Sequence, residues 1–294
     1  FKKYYFCTMQ KIRILAFLAL ASLSAASCGM TPATGTVTET VTVYEPTPEG
    51  DHYVNNAVLT HFKGEFYCMW QSSACDEDAP DTHVMYSRSR DGRRWSPPDT
   101  LIPCSDSCFT APGGWMPCGD TLVALVNVLS GMQAGGTARY MTSADGRNWS
   151  ETRPVLMADG SPMDGIIEQD PHVVDGKRLV GAAHFRPGLK ARPIYTDDPT
   201  GRTGWKKGAF TYTDNGTQSA ELEPSFFLQQ DGTLVMVMRD QKGSYHTLAA
   251  TSSDQGETWT KSVQTNMPDS RAKQCAGNLP DGTAFLVNNP GRVT

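Results

Sequence analysis

The residues best placed to do chemistry lie in Glu223-Pro-Ser-Phe-Phe-Leu-Gln-Gln-Asp231-Gly232-Thr-Leu-Val-Met-Val-Met-Arg239, where a carboxylate precedes a turn and an apolar run ends in a guanidinium. A guanidinium pairs with a carboxylate through two charge-assisted hydrogen bonds, so Arg239 could grip an acidic group. The same two residues also read as ordinary strand-end charges. A second cluster, Ala74-Cys75-Asp76-Glu77-Asp78-Ala79-Pro80-Asp81, packs several carboxylates into one loop. Crowding raises the pKa of at least one of them, as an acid catalyst at neutral pH requires. Asp78 and then Asp76 are the candidate acids, and a solvated acidic loop or a cation site is the plainer alternative. Glu168-Gln169-Asp170-Pro171-His172 stands before a third apolar run as Glu223 stands before the fourth, and His184 and Arg186 end that third run as Arg239 ends the fourth. A neutral His184 or His172 beside an arginine could abstract a proton α to a uronate carboxylate, the first step of a β-elimination. A histidine at a strand end can equally be structural. Trp70 and Trp115 could stack on sugar faces, although core packing explains each as well.

These groups need a scaffold, and the sequence repeats one. Ser89 to Trp95, Ser143 to Trp149, a looser Thr196 to Trp205, and Ser252 to Trp259 share a hydroxyl residue, Asp, Gly and Trp, with the tryptophans 54, 56 and 54 residues apart. Asp and Ser side chains close a tight turn on the backbone, Gly supplies positive φ, and Trp buries a large ring. A period near fifty residues suits propeller blades. A second repeat interleaves with it. Turns at Lys63-Gly64, Gly119-Asp120, Asp175-Gly176, Asp231-Gly232 and Asp281-Gly282 each precede an apolar strand, the first of them Glu65 to Trp70. Such turns before β-rich runs are hairpin signals. The near-continuous apolar character of Thr233 to Arg239 predicts an inner strand covered on both faces. With no amphipathic helix pattern after residue 50, the expected fold is all-β, with antiparallel sheets arranged radially.

The Ser252 to Trp259 segment has the full S-x-D-x-G-x-T-W form and resembles the Asp-box, or BNR repeat, of the sialidase superfamily; the copies at Ser89 and Ser143 are one residue shorter. The resemblance implies a six-bladed propeller with these turns at the blade periphery. On that count the chain reads as a propeller over residues 51–294, incomplete after about five blades. The Glu223 to Arg239 stretch is similar to one in bacterial sialidases. There Glu223 would activate a tyrosine nucleophile and Arg239 would bind the substrate carboxylate, with the general acid drawn from the loop holding Asp76 and Asp78. A tyrosine suits that reaction because an anionic anomeric centre repels a carboxylate nucleophile. The pattern departs at blade one, where Tyr53-Val-Asn55-Asn56-Ala57 stands in place of an Arg-Ile-Pro stretch and offers Asn55 and Asn56 instead of the first triad arginine. Arg292, after Asn289-Pro290, could supply the third arginine, and His246 stands where many sialidases have Arg. Asp170, Arg186 and His246 complete the expected binding residues. The resemblance implies an exo-acting glycoside hydrolase on a terminal, acidic sugar. A propeller lyase with a His base and a non-catalytic glycan-binding protein are the alternatives.

From Met9 the chain reads as an export signal: Lys11 and Arg13, an apolar core Ile14 to Leu23, and Ala25-Ala26-Ser27-Cys28, which resembles a bacterial lipobox with Cys28 lipidated. The apolar run is too short to span a bilayer. Residues 1–28 are the expected leader and the Thr/Pro-rich residues 29–50 a flexible tether. The expectation is an exported, cell-surface or periplasmic monomer held to a membrane by its lipid, or secreted if cleavage occurs near Ser27. Scattered Lys and Arg with a net charge of −5 argue against nucleic acid. About 240 residues after the tether can bury a substantial core. No cofactor is implied. No His accompanies the cysteines at ligand spacing, so no metal is expected, whereas Cys104, Cys108 and Cys118 are close enough in sequence to form a disulfide.

Overall fold

A computed structural model describes residues 12–16 (backbone), 39–47, 49–105, 108–130, 135–185, 190–213 and 220–289. Arg186, Arg292, Cys28 and most of the expected leader lie outside the described residues. Strands and turns make up the described residues, with no helix among them.

Four sheets follow one another along the chain, each an antiparallel blade. Blade I contains Tyr53–Phe62, Glu65–Ser73, His83–Ser89 and Asp99–Ile102. Blade II contains Phe109–Cys118, Thr121–Leu129, Gly136–Ser143 and Arg153–Pro154. In blade III the first strand is split into Gly165–Ile167 and His172–Val174, both paired with Arg178–Phe185, and Lys190–Thr196 and Lys206–Lys207 complete the sheet. Blade IV contains Glu221–Leu228, Leu234–Asp240, His246–Ser252 and Val263–Pro268. A fifth unit shows two strands, Cys275–Asn278 and Ala284–Val287. The arrangement is a β-propeller of four blades plus this hairpin among the described residues, against an expected six-bladed fold of which the sequence presents about five blades.

One expectation is corrected by the topology. The apolar strands after the Asp-Gly turns are the second strand of each blade, and the strand preceding each turn is the innermost. The second strands read as continuously apolar because sheets cover them on both sides. Thr121–Leu129, for example, is buried along nearly its whole length. Apolar clusters fill each interface: Tyr67, Met69, Trp115 and Leu122 between blades I and II, Met116, Leu179 and Trp205 between II and III, and Val180, Phe226, Met236 and Trp259 between III and IV.

The Asp-boxes behave as their chemistry requires, and they also join blades. In blade II, Asp145 Oδ1 accepts from the backbone N–H of Arg147 and of Asn148 at 2.8 Å each, while Ser143 Oγ accepts from Gly146 N–H at 2.8 Å. These donors hold the Asp145 carboxyl well below the ordinary aspartate range. The indole N–H of Trp205 donates to Gly201 O at 2.8 Å and that of Trp259 to Gly256 O at 3.0 Å, so ring and turn form one unit. Gly146 has φ 66°, and a Cβ there would overlap the Tyr67 ring of blade I. Gly201 of blade III stands in the same relation to Met116 of blade II. The turns of blades II, III and IV are thus wedged against the preceding blade, Gly256 of blade IV meeting Val180 of blade III.

Part of the expected tether is docked. Glu39–Tyr44 forms a strand paired with Ile12–Ala16, Val43 is buried with Val54 and Trp70, and the Tyr44 ring stacks on Trp70 at 5.4 Å. Trp70 and Trp115 are themselves core residues, at 0% and 2% exposure, so neither presents a face to a sugar. Cys104 and Cys118 are free thiols, which corrects the expectation that they take part in a disulfide.

Candidate functional site

The innermost strands bend at one level in the propeller. The ladder shifts register between Asn55 and Val58 in blade I, Pro112 and Gly114 in blade II, and Leu222 and Ser225 in blade IV, while blade III breaks its first strand over residues 168–171. A bulge leaves a residue unpaired and re-aims its side chain. Asn56 at φ 54° and Glu223 at φ 50° sit in the left-handed region at their bulges. For Asn this is tolerated; for Glu it is strained backbone of a kind that gathers at functional sites.

The bends surround a cavity of about 310 Å³, whose polar lining includes Asn55, Asn56, Glu77, Glu168, His184, Glu223, Arg239 and Lys273. Arg239 Nη1 lies 3.0 Å from Glu223 Oε2, and its Nη2 donates to Gln241 Oε1 at 3.0 Å. His184 Nε2 lies 3.3 Å from Glu168 Oε2. Lys273 Nζ donates to Asn56 Oδ1 and to the Glu168 carbonyl, and so joins blade I, blade III and the fifth unit. Gln169 Nε2 donates to the carbonyls of Glu223 at 3.3 Å and Gln274 at 2.9 Å, fixing blade III to its two successors.

Burial dominates the electrostatics. It pushes Glu223 up to about 7, helped by the negative charge of Glu168 and opposed by Lys273 and Arg239. Burial also works against the charge of Glu168, but His184, Lys273 and Arg239 together hold it below the ordinary glutamate range. Burial lowers the pKa of His184, which favours neutral imidazole at pH 7. Burial likewise lowers Lys273, against the pull of Glu168, Glu223 and Asp170.

The residues singled out from sequence divide clearly. Asn55, Asn56, His184, Glu223 and Arg239 converge on the cavity. Asp76 and Asp78 are not among its lining residues. Asp76 instead caps its own loop, its Oδ1 accepting from Asp78 N–H at 3.0 Å, and Asp78 points outward. Their neighbour Glu77 takes the inward position. Its Oε2 accepts from Asn55 Nδ2 at 3.1 Å, its carbonyl accepts from Gln71 Nε2 at 3.0 Å, and burial followed by the Asp78 charge raises its pKa. Asp170 Oδ1 accepts from Trp115 N–H at 2.5 Å, and burial raises its pKa to about 7; it lines the neighbouring groove. His172 packs edge-on against Phe226, and burial lowers it to about 4. His246 bonds the Ser244 carbonyl at 2.9 Å and is not among the cavity residues. Sequence reasoning missed Lys273 altogether. The inner-strand period could have found it, because Asn56, Glu168 and Glu223 recur at nearly the blade spacing and the next step lands close to it.

The fold has relatives. A protein of unknown function from Dyadobacter fermentans superposes with a TM-score of 0.67 at 15% identity, covering 84% of this chain and 77% of that one. The Hadza microbial sialidase Hz136 gives 0.63 at 18% identity, covering 85% and 59%, and a point mutant of the NanB sialidase of Streptococcus pneumoniae gives 0.64 at 13%, covering 82% and 57%. The chain thus spans under three-fifths of the length of these two sialidases. Among curated protein sequences none matches. The sequence profile of the BNR repeat-like domain matches residues 64–293, most of the propeller. The chain belongs to the BNR repeat-like domain family, and its propeller fold is one that these sialidases share.

Proposed function

We propose that the protein is an exo-acting glycoside hydrolase that removes a terminal sugar from a glycan at the propeller mouth. The observation that carries this reading is the Glu223–Arg239 pair inside the 310 Å³ cavity, with Glu77, Glu168 and His184 around it. That volume is at the lower end of small-ligand sites (~300–1,000 Å³), and it suits one terminal residue of a glycan better than an extended chain. Carboxylates of unequal acidity around one cavity are what acid–base hydrolysis needs. A second reading, a lyase acting on uronate-linked sugars, draws on one observation: a histidine biased toward its neutral form shares the cavity with an arginine. Export and lipidation at Cys28 remain part of the proposal, and loss of lipid labelling in Cys28→Ser tests them.

The decisive experiment incubates the full-length protein with a glycan panel in ¹⁸O water and weighs the products. One ¹⁸O per released sugar supports hydrolysis. Unsaturated uronate without added label replaces it with the lyase, and binding without any product leaves a glycan-binding protein. Glu223→Gln should lower kcat on natural glycans by roughly 10²–10⁴-fold, the usual size of an acid–base contribution.

A further inference from the structure

Glu168 and Glu223 occupy corresponding bends of neighbouring blades, and both carboxylates open onto the same cavity. Their side chains retain 23% and 17% exposure, and the Oε2 atom of each is held only by an ion-pair contact, from His184 at 3.3 Å and from Arg239 at 3.0 Å, without a well-directed hydrogen bond. Resting on the hydrolase reading above, we propose that Glu168 is the second catalytic carboxylate, working with Glu223 on a terminal sugar that carries no carboxylate at its anomeric centre.

The surroundings divide the labour between the pair. Lys273 and Arg239 favour the ionised form of Glu168 in spite of burial, with His184 Nε2 3.3 Å from its Oε2. Glu223 is pushed the other way by burial and by Glu168 itself, so it holds a proton near neutrality. Two carboxyl groups driven apart in this way are an acid and a base. In the step that follows, Glu223 gives its proton to the glycosidic oxygen as that oxygen leaves the anomeric carbon. A water attacks the same carbon and passes its proton to Glu168. The products are the free sugar and an alcohol; proton exchange with solvent then restores both groups.

The charges choose the substrate. Three carboxylates, Glu77, Glu168 and Glu223, face two basic side chains in the described lining, and both bases are engaged. Arg239 is held by Glu223 and Gln241, and Lys273 by Asn56 and the Glu168 carbonyl. A substrate carboxylate would have to displace these partners and settle beside the ionised Glu168. A sugar with only hydroxyl or amide groups needs neither, and the Arg239 Nε–H, which has no acceptor, suits a hydroxyl. A carboxylate base is also compatible with an uncharged anomeric centre, where it would be repelled by an anionic one.

The test uses the full-length protein with glycosides of neutral, N-acetylated and sialic sugars, each made once with a good leaving group (2,4-dinitrophenolate) and once with a poor one (methanol, as the methyl glycoside). We expect turnover on a neutral or N-acetylated sugar. Glu168→Gln should then lose roughly 10²–10⁴-fold in kcat with both leaving groups and little change in KM. Glu223→Gln should lose heavily only with the poor leaving group, because a good one departs without a proton. If Glu168→Gln does not fold, the wild-type pH profile decides: kcat/KM should fall above about pH 7 as Glu223 loses its proton. Turnover confined to sialic sugars, a Glu168→Gln rate within threefold of wild type, or a rate that rises through pH 7 would overturn the inference and leave the hydrolase reading intact. Failure to hydrolyse any glycoside would remove both.

Discussion

At the scale of single residues, Lys273 decides how the site is charged. Its ammonium lies beside Glu168 and Glu223 and lowers the pKa of each. Lys273→Met should therefore move both limbs of the pH–rate profile to higher pH, since each carboxyl group then holds its proton more tightly; steady-state rates from pH 3 to 9 would show it. Unmoved limbs would mean that Lys273 acts only as a strut between blades. Asp170 offers a stability measurement. Burial raises its folded pKa to about 7, while the unfolded chain releases that proton near the ordinary 3.8. Between these values the folded state binds the proton the unfolded state has lost, so stability falls as pH rises from about 4 to about 7. Asp170→Asn keeps an oxygen for the Trp115 N–H and cannot ionise, so its Tm should decline less across that window. Glu223 contributes in the same direction and would preserve part of the slope.

At the scale of elements, the Asp-box is a clip between blades as well as a turn. Gly92 and Gly146 hold the same left-handed backbone, at φ 68° and 66°, but their surroundings differ. A Cβ at Gly92 meets only Phe66 of its own blade at 3.7 Å, whereas one at Gly146 runs into Tyr67 across the interface. Both Ala substitutions pay the backbone strain, and Gly146→Ala should lose about 1–3 kcal/mol more from overpacking. Denaturant titration of the two variants measures the difference; equal losses would mean the turn contributes nothing to the interface. The bulges show the complementary principle. Regular alternation points residues up or down the sheet, and only an inserted residue in the innermost strand turns Asn56 or Glu223 toward the cavity.

At the scale of the whole molecule, the blades differ in how well they are held. The fifth unit is a two-stranded hairpin in the described residues, and a groove of about 880 Å³ lies between it and the first strand of blade I. Its strands are exposed or half-buried at Ala284–Val287, in contrast with the buried Thr121–Leu129 of blade II. Amides of the hairpin should exchange with deuterium well before those of blade II, because opening it uncovers little apolar surface. Equal protection would show that the hairpin unfolds only with the whole propeller. This unit carries Lys273 into the site, so loosening it should also lower activity.

The sequence by itself was enough for the all-β class, the blade repeat and the turn chemistry, because Asp, Ser, Gly and Trp at fixed spacing act through bonds to their own backbone. It also singled out Glu223, Arg239 and His184, which stand in register with the repeat and line the cavity. What it could not reach depended on where chains meet. Glu77 rather than Asp76 or Asp78 faces the cavity because the loop is held by bonds from Gln71 and Asn55, a matter of loop conformation that composition does not encode. Lys273 lies 217 residues from Asn56 and yet bonds to it. Only closure of the blades around one axis brings that ammonium between two glutamates and sets which of them carries the proton.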